Sequence, residues 1–167
     1  GNVQAGQLMV LEAVTDKDGK FHIPAWGLKK ATKGHLVSDD PQLLLFKSGY
    51  EYKRLSNTYS GDREMRLRQV RKSEWNGKVI ALKPFKGDVK EYARHLGSKS
   101  SSLETILREE CGWKYTPRMI LAVSGQSEIF RKQGNYELPS IESLDVRYRN
   151  FIAKCGSVNE FFRNYQP

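Results

Sequence analysis

Long apolar runs are missing from this chain. Its 167 residues are 38% hydrophobic, and the longest candidate stretch is the short segment 119–123, far below the roughly 18 to 20 residues needed to cross a bilayer. The expectation is a chain that does not span a membrane. A secretion leader is missing too: the first residues, Gly1, Asn2, Val3, Gln4, Ala5 and Gly6, have neither a basic region nor an apolar one. That opening suits a cytosolic chain, and it suits equally one whose export signal has been removed.

Metal-binding residues are scarce. Two Cys and three His (His22, His35 and His95) show neither Cys-x-x-Cys nor His-x-x-x-His spacing, which argues against a structural zinc. Asp16, Lys17, Asp18 and Gly19 resemble the start of a calcium loop, but the third alternating oxygen ligand and the distal Glu are absent, leaving a turn as the plainer reading. No cofactor is implied.

Catalytic patterns are equally sparse. Ser124 has no glycine two residues before it, so the nucleophile-elbow pattern fails. No glycine loop is suited to cradle phosphate. Adjacent acids such as Glu109 and Glu110 would point about 100° apart on a helix. His22 falls on the polar side of an expected strand, His35 in a loop and His95 near a helix end, where a cation complements the dipole. No enzyme is expected on these patterns; an enzyme with an unrecognised site is the third-ranked reading.

What the chain does have is positive charge, +9 with a pI near 9.6. Clustered cations bind polyanions by releasing counterions, and the one dense run is Arg63, Arg66, Arg68, Arg71 and Lys72. These five are the candidate binding residues, for an acidic glycan or nucleic acid; the plainer alternative is a solvated face. Trp26, Trp75, Trp113, Tyr50, Tyr52 and Tyr59 could make a stacking platform, although such residues more often pack. Trp26 and Trp75 flank turns and are the favoured exceptions.

Periodicity divides the chain near residue 83. Before it the pattern is short and β-like. An apolar stretch at 8–14 leads through the turn cluster 15–19 to Phe21 and Ile23, which share one face of an expected hairpin. Residues 41–47 and 50–55 read as strands, with others at 64–70 and 78–82. Five or six short strands argue for a sandwich or barrel.

After Pro84 the period becomes helical. Asp88 is an N-cap before the stripe Val89, Tyr92, Ala93 and Leu96, with Gly97 as stop. A capping box from Ser101 to Glu104 opens a helix carrying Leu103, Ile106, Leu107 and Cys111. Thr116 and Pro117 start another through Ile120, Val123 and Phe130. Ser140 begins one with Ile141, Leu144, Tyr148, Ile152 and Cys155, ended by Gly156, and Ser157 caps a last helix with Val158, Phe161, Phe162 and Tyr165. The expected organisation is a β unit over residues 1–83 and a helical unit over 84–167, an α+β chain.

Cys111 and Cys155 each fall at the end of an expected amphipathic helix, on its apolar stripe and directly before a glycine. Brought side by side in an oxidising compartment they would form a disulfide, stabilising the fold by about 4 kcal/mol on the chain-entropy model. Two buried free thiols are the alternative.

The stretch from Glu12 through the turn to Phe21, Ile23, Pro24, Trp26 and Gly27, together with 41–45 and Lys47, Ser48, Gly49 and Tyr50, resembles the carboxypeptidase regulatory-like family of transthyretin-like, or prealbumin-like, domains. The resemblance implies a seven-stranded Greek-key β-sandwich serving as an accessory or interaction module in exported or cell-surface proteins. The catalytic branch of that fold, the hydroxyisourate hydrolases, ends in Tyr-Arg-Gly-Ser, whereas this chain ends Arg163, Asn164, Tyr165, Gln166, Pro167. The leading expectation is a non-catalytic binding or structural module outside the cytoplasm (periplasmic, secreted or surface-attached) whose partner is a protein or envelope glycan. Polyanion binding through 63–72 is the runner-up.

Overall fold

The computed structural model describes residues 9–25, 41–57, 73–99, 101–134 and 138–165. Two strands form, β1 (Gln42–Leu45) and β2 (Lys53–Ser56), paired antiparallel with Gln42 opposite Ser56 and Leu45 opposite Lys53. Helices follow in order: α1 (Val89–Lys99), α2 (Ser101–Leu107), α3 (Pro117–Lys132), α4 (Ile141–Arg147), α5 (Ile152–Cys155) and α6 (Val158–Arg163), with 3₁₀ turns at Gly112–Lys114 and Arg149–Phe151.

The Greek-key sandwich does not form. Among the described residues there is one two-stranded sheet, and the expected strands at 9–14, 20–24 and 78–82 are irregular. The strand expected at 64–70 lies outside the described residues. The reason is that alternation marks a face without supplying anything to cover it. The turn at 16–20 closes, with Asp16 N–H donating to the Lys20 carbonyl at 2.8 Å and Gly19 N–H to the Asp16 carbonyl at 3.0 Å. Its flanks stay open: Val14 is 63% exposed and Phe21 39%. A hairpin with no covered face is marginal, so no ladder extends from the turn. Val79, 93% exposed, tells the same story for 78–82; that stretch is touched by Lys78 N–H donating to the Trp75 carbonyl and Lys53 Nζ donating to the Ala81 carbonyl, both at 3.1 Å, and backbone bonds to residues 49 and 51 begin just after it, at Lys83 and Phe85.

Local capping chemistry explains the helix starts. Asp88 Oδ1 accepts from Glu91 N–H at 2.8 Å while Glu91 Oε2 accepts from Asp88 N–H at 2.9 Å, a reciprocal box. Ser140 and Ser143 form another at α4, and Ser157 accepts from Glu160 N–H at α6. Pro117 occupies the first turn of α3, where its missing N–H costs nothing.

Helix ends depart from expectation in three places. α1 passes Gly97 and runs to Lys99. α2 stops at Leu107, so Cys111 does not sit on it; the chain turns there, with Cys111 left-handed at φ 56°. The continuous helix expected from Ser140 to Cys155 is broken at Tyr148, where a 3₁₀ turn intervenes and Phe151 N–H donates to the Tyr148 carbonyl at 2.8 Å. Tighter winding shifts the phase of the stripe: Leu144, Tyr148 and Cys155 are buried, while Ile152 is half exposed.

The core lies among the helices. Trp113, Leu103, Leu107 and Leu144 are fully enclosed, with Ile120, Phe130 and Phe162 nearly so, and the Trp113 ring meets Tyr148 at 4.7 Å between centroids. Tyr52 from β-region residues joins the same cluster, and Leu44, Phe46 and Phe85 pack against it.

Gly112 is fixed by space: a Cβ there would stand 2.0 Å from the Ile106 carbonyl oxygen. Gly112→Ala is expected to destabilise the chain by about 2 to 3 kcal/mol. Gly125→Ala, in open space on helix α3, is expected to stabilise it by about 0.5 to 1 kcal/mol. Urea unfolding of both variants, giving opposite shifts in midpoint, checks the pair.

Candidate functional site

The five cations put forward from sequence, Arg63, Arg66, Arg68, Arg71 and Lys72, lie outside the described residues, as do Trp26, Tyr59 and His35. The two cysteines are joined. Cys111 and Cys155 form a disulfide with Cα atoms 5.4 Å apart, linking the turn after α2 to the end of α5. Beside it Lys154 Nζ lies 2.7 Å from a Glu110 carboxylate oxygen, an exposed pair of small energetic worth.

The described aromatics divide by role. Trp113 is core, and Tyr52 is 7% exposed. Tyr50 carries Lys47 over its ring at 4.3 Å. Trp75 donates its indole N–H to the Ser56 carbonyl at 3.0 Å and has Lys78 above it at 5.7 Å. These two partly exposed rings, each with its own cation, do not pair with each other as a platform.

Polar side chains join the β-region to α1 and α3. Tyr92 accepts from Gly49 N–H at 3.0 Å and donates to the Tyr50 carbonyl at 3.1 Å. His95 Nε2 accepts from Tyr52 N–H at 3.1 Å, with its ring tilted on Phe85 at 5.3 Å between centroids. Ser48 donates to the buried Gln126 side-chain carbonyl. His95 is thus engaged in holding backbone. Burial pushes the Tyr92 hydroxyl above its usual pKa, its bonds to Gly49 and Tyr50 pulling the other way.

A second convergence was not visible in sequence. At the head of α3, Glu12 accepts hydrogen bonds from Arg118 and Met119 N–H at 2.9 and 2.8 Å. Nearby, Arg118 lies over Tyr165 at 5.6 Å and Lys114 over Phe161 at 5.9 Å. Its members come from residue 12, from 114–119 and from 161–165, and no local sequence pattern connects them.

Among the described residues no group of three or more His, Cys, Asp or Glu could hold a metal ion, and no helix is long and apolar enough to cross a membrane. Set against known proteins, the chain matches no family model, no curated protein and no solved structure. The resemblance to carboxypeptidase regulatory-like domains is therefore withdrawn: no family model carries it, and the described residues hold two short strands where the family would have a sandwich.

Tyr52 gives this junction a pH limit. Burial raises its pKa from 10.0 to about 12, with Arg54 partly opposing, and its hydroxyl has no partner. A raised folded-state value means that the contribution is whole below pH 10 and is lost as pH climbs through about 12. The expected loss is on the order of 2 kcal/mol. Tyr52→Phe should flatten the decline, as read by urea midpoints taken from pH 8 to 12.

Proposed function

We propose that this chain is a non-catalytic binding or structural module that works outside the cytoplasm, in a periplasmic, secreted or surface-attached setting. The observation that carries the reading is the Cys111–Cys155 bond. Disulfides persist where the medium is oxidising and are rare where thiol reductants dominate. This one joins two regions whose contacts are otherwise those of a modest helical core, and closing so long a loop removes freedom from the unfolded chain.

The non-catalytic half of the reading is supported by how the chemically able groups are used. His95 holds the Tyr52 backbone, Tyr92 holds residues 49 and 50, and Ser124 Oγ accepts from Ile141 N–H at 3.2 Å. Each serves an architectural bond. The partner class is a protein or an envelope glycan.

Protein taken from its native compartment, alkylated before and after reduction and weighed intact, should show no modification before reduction and two after it. A digest should yield the 111–155 cross-link. Two thiols open to alkylation at the outset would overturn the compartment reading. Replacing both cysteines with Ser is expected to lower stability by about 2 to 5 kcal/mol, measured by urea unfolding of the oxidised parent against the variant.

A further inference from the structure

Charge is spread unevenly over the fold. Residues 41–57 and 73–87 carry six cations, Lys47, Lys53, Arg54, Lys78, Lys83 and Lys86, against two acids, Glu51 and Glu74. Residues 88–134 and 138–165 carry twelve cations against nine acids. The ion pairs between described residues, Arg131 with Glu142, Arg147 with Glu104 and Lys154 with Glu110, all fall in that helical part. Among the described residues, none of the six β-region cations has an ion-pair partner.

The backbone sets most of these cations along one lane. Segment 75–85 is largely irregular, yet it runs antiparallel beside β2. The Trp75 indole N–H donates to the Ser56 carbonyl, Lys53 Nζ to the Ala81 carbonyl and Glu51 N–H to the Lys83 carbonyl, and Tyr50 pairs with Pro84. Lys78, Lys83 and Lys86 are exposed along this lane, and Lys53, with one bond to Ala81, keeps two of its three donors free. A partly exposed ring stands at each end: Trp75 with Lys78 over it at 5.7 Å, and Tyr50 with Lys47 over it at 4.3 Å. The six residue steps from Tyr50 to Ser56 set the two ends about 20 Å apart. Arg54 leaves the lane, its guanidinium donating to Ser102 on α2.

We propose that this lane is a binding track for an acidic polysaccharide, its lysines meeting the anionic groups and its two end rings packing on sugar C–H faces. The proposal rests on the reading of this chain as a binding module outside the cytoplasm, and gives that module a surface and a ligand class. Charge complementarity selects a polyanion, and two features favour a glycan over a nucleic acid. The lane's cations are all lysines, point charges, where planar bidentate recognition of phosphate is the strength of arginine. Stacking successive bases also needs rings in succession. Here the rings between the two ends are turned inward, Tyr52 into the core and Phe85 onto Tyr92.

The test is calorimetric titration of the full-length, oxidised chain with polygalacturonate and with dextran sulfate, against uncharged dextran and single-stranded oligothymidine. At least one acidic polysaccharide should bind, with affinity falling about tenfold or more between about 50 and 200 mM salt, and dextran should not. In amide NMR the Trp75 indole and the amides of 78–86 should move. The triple variant Lys78→Gln, Lys83→Gln, Lys86→Gln should keep its thermal midpoint and bind about tenfold more weakly or worse. Changing Arg63, Arg66, Arg68, Arg71 and Lys72 to Gln should weaken binding less than the triple variant does. Uptake of neither acidic polysaccharide, oligothymidine bound as tightly as either, or a loss that follows 63–72 and not the three lysines would each overturn the proposal. Free thiols in native protein would sink the compartment reading and leave this result untouched.

Discussion

Gly112 lies so close to the Ile106 carbonyl that a Cβ would meet the oxygen at 2.0 Å, and the path of the helical half follows from that contact. To reach it the chain must turn sharply after α2, and Cys111 takes the turn in a left-handed conformation at φ 56°, alone among the described non-glycine residues. Such a conformation costs about 1 to 2 kcal/mol for a residue with a Cβ. The expense is met on either side of it: Trp113 enters the core with no exposed surface, and Cys111 is held by its bond to Cys155. Residues 111–113 thus combine a covalent tie, a close backbone approach and the largest buried side chain, and together they set where α3 begins.

The second point of order is the seam between the β-region and the helices. It has little apolar depth, for Leu44, Phe46 and Phe85 are only partly buried. Directional bonds make up the difference. Tyr92, His95 and Gln126 each reach across from a helix to residues 48–52, Tyr92 with two bonds, and four such bonds at about 1 kcal/mol apiece rival the burial of one or two large apolar side chains. This explains why a two-stranded sheet, marginal on its own, holds its place.

Capping was legible from sequence because it is local. Asp88, Pro117, Ser140 and Ser157 name helix starts through atoms within three or four residues of themselves. The sandwich was misread because strand formation is not local: the alternation at 20–24 is real, but Phe21 finds no cover, and nothing in those residues says whether a second sheet exists. The break at Tyr148 was invisible for a related reason, since no Gly or Pro marks it; the ring follows Trp113, whose position depends on the turn at 112. The cysteine pair could be put forward because two similar Cys-Gly endings stood out, although the left-handed turn at Cys111 could not.

Glu12 marks the limit of what the sequence could disclose. Its partners are more than a hundred residues away, and a single glutamate within the apolar stretch 8–14 does not say which distant donors it will meet. That distance bears on dynamics as well. Loop closure grows only as the logarithm of length, about 0.6 kcal/mol per doubling, so once the core has folded, docking residues 9–12 costs little beyond ordering the segment itself. Stability need not be uniform across such a fold, and the Arg118 and Met119 amides are the ones that report on the Glu12 contact. A helix head capped from its own loop is fixed by neighbours in sequence; this one is fixed by a carboxylate that the fold itself must bring to it.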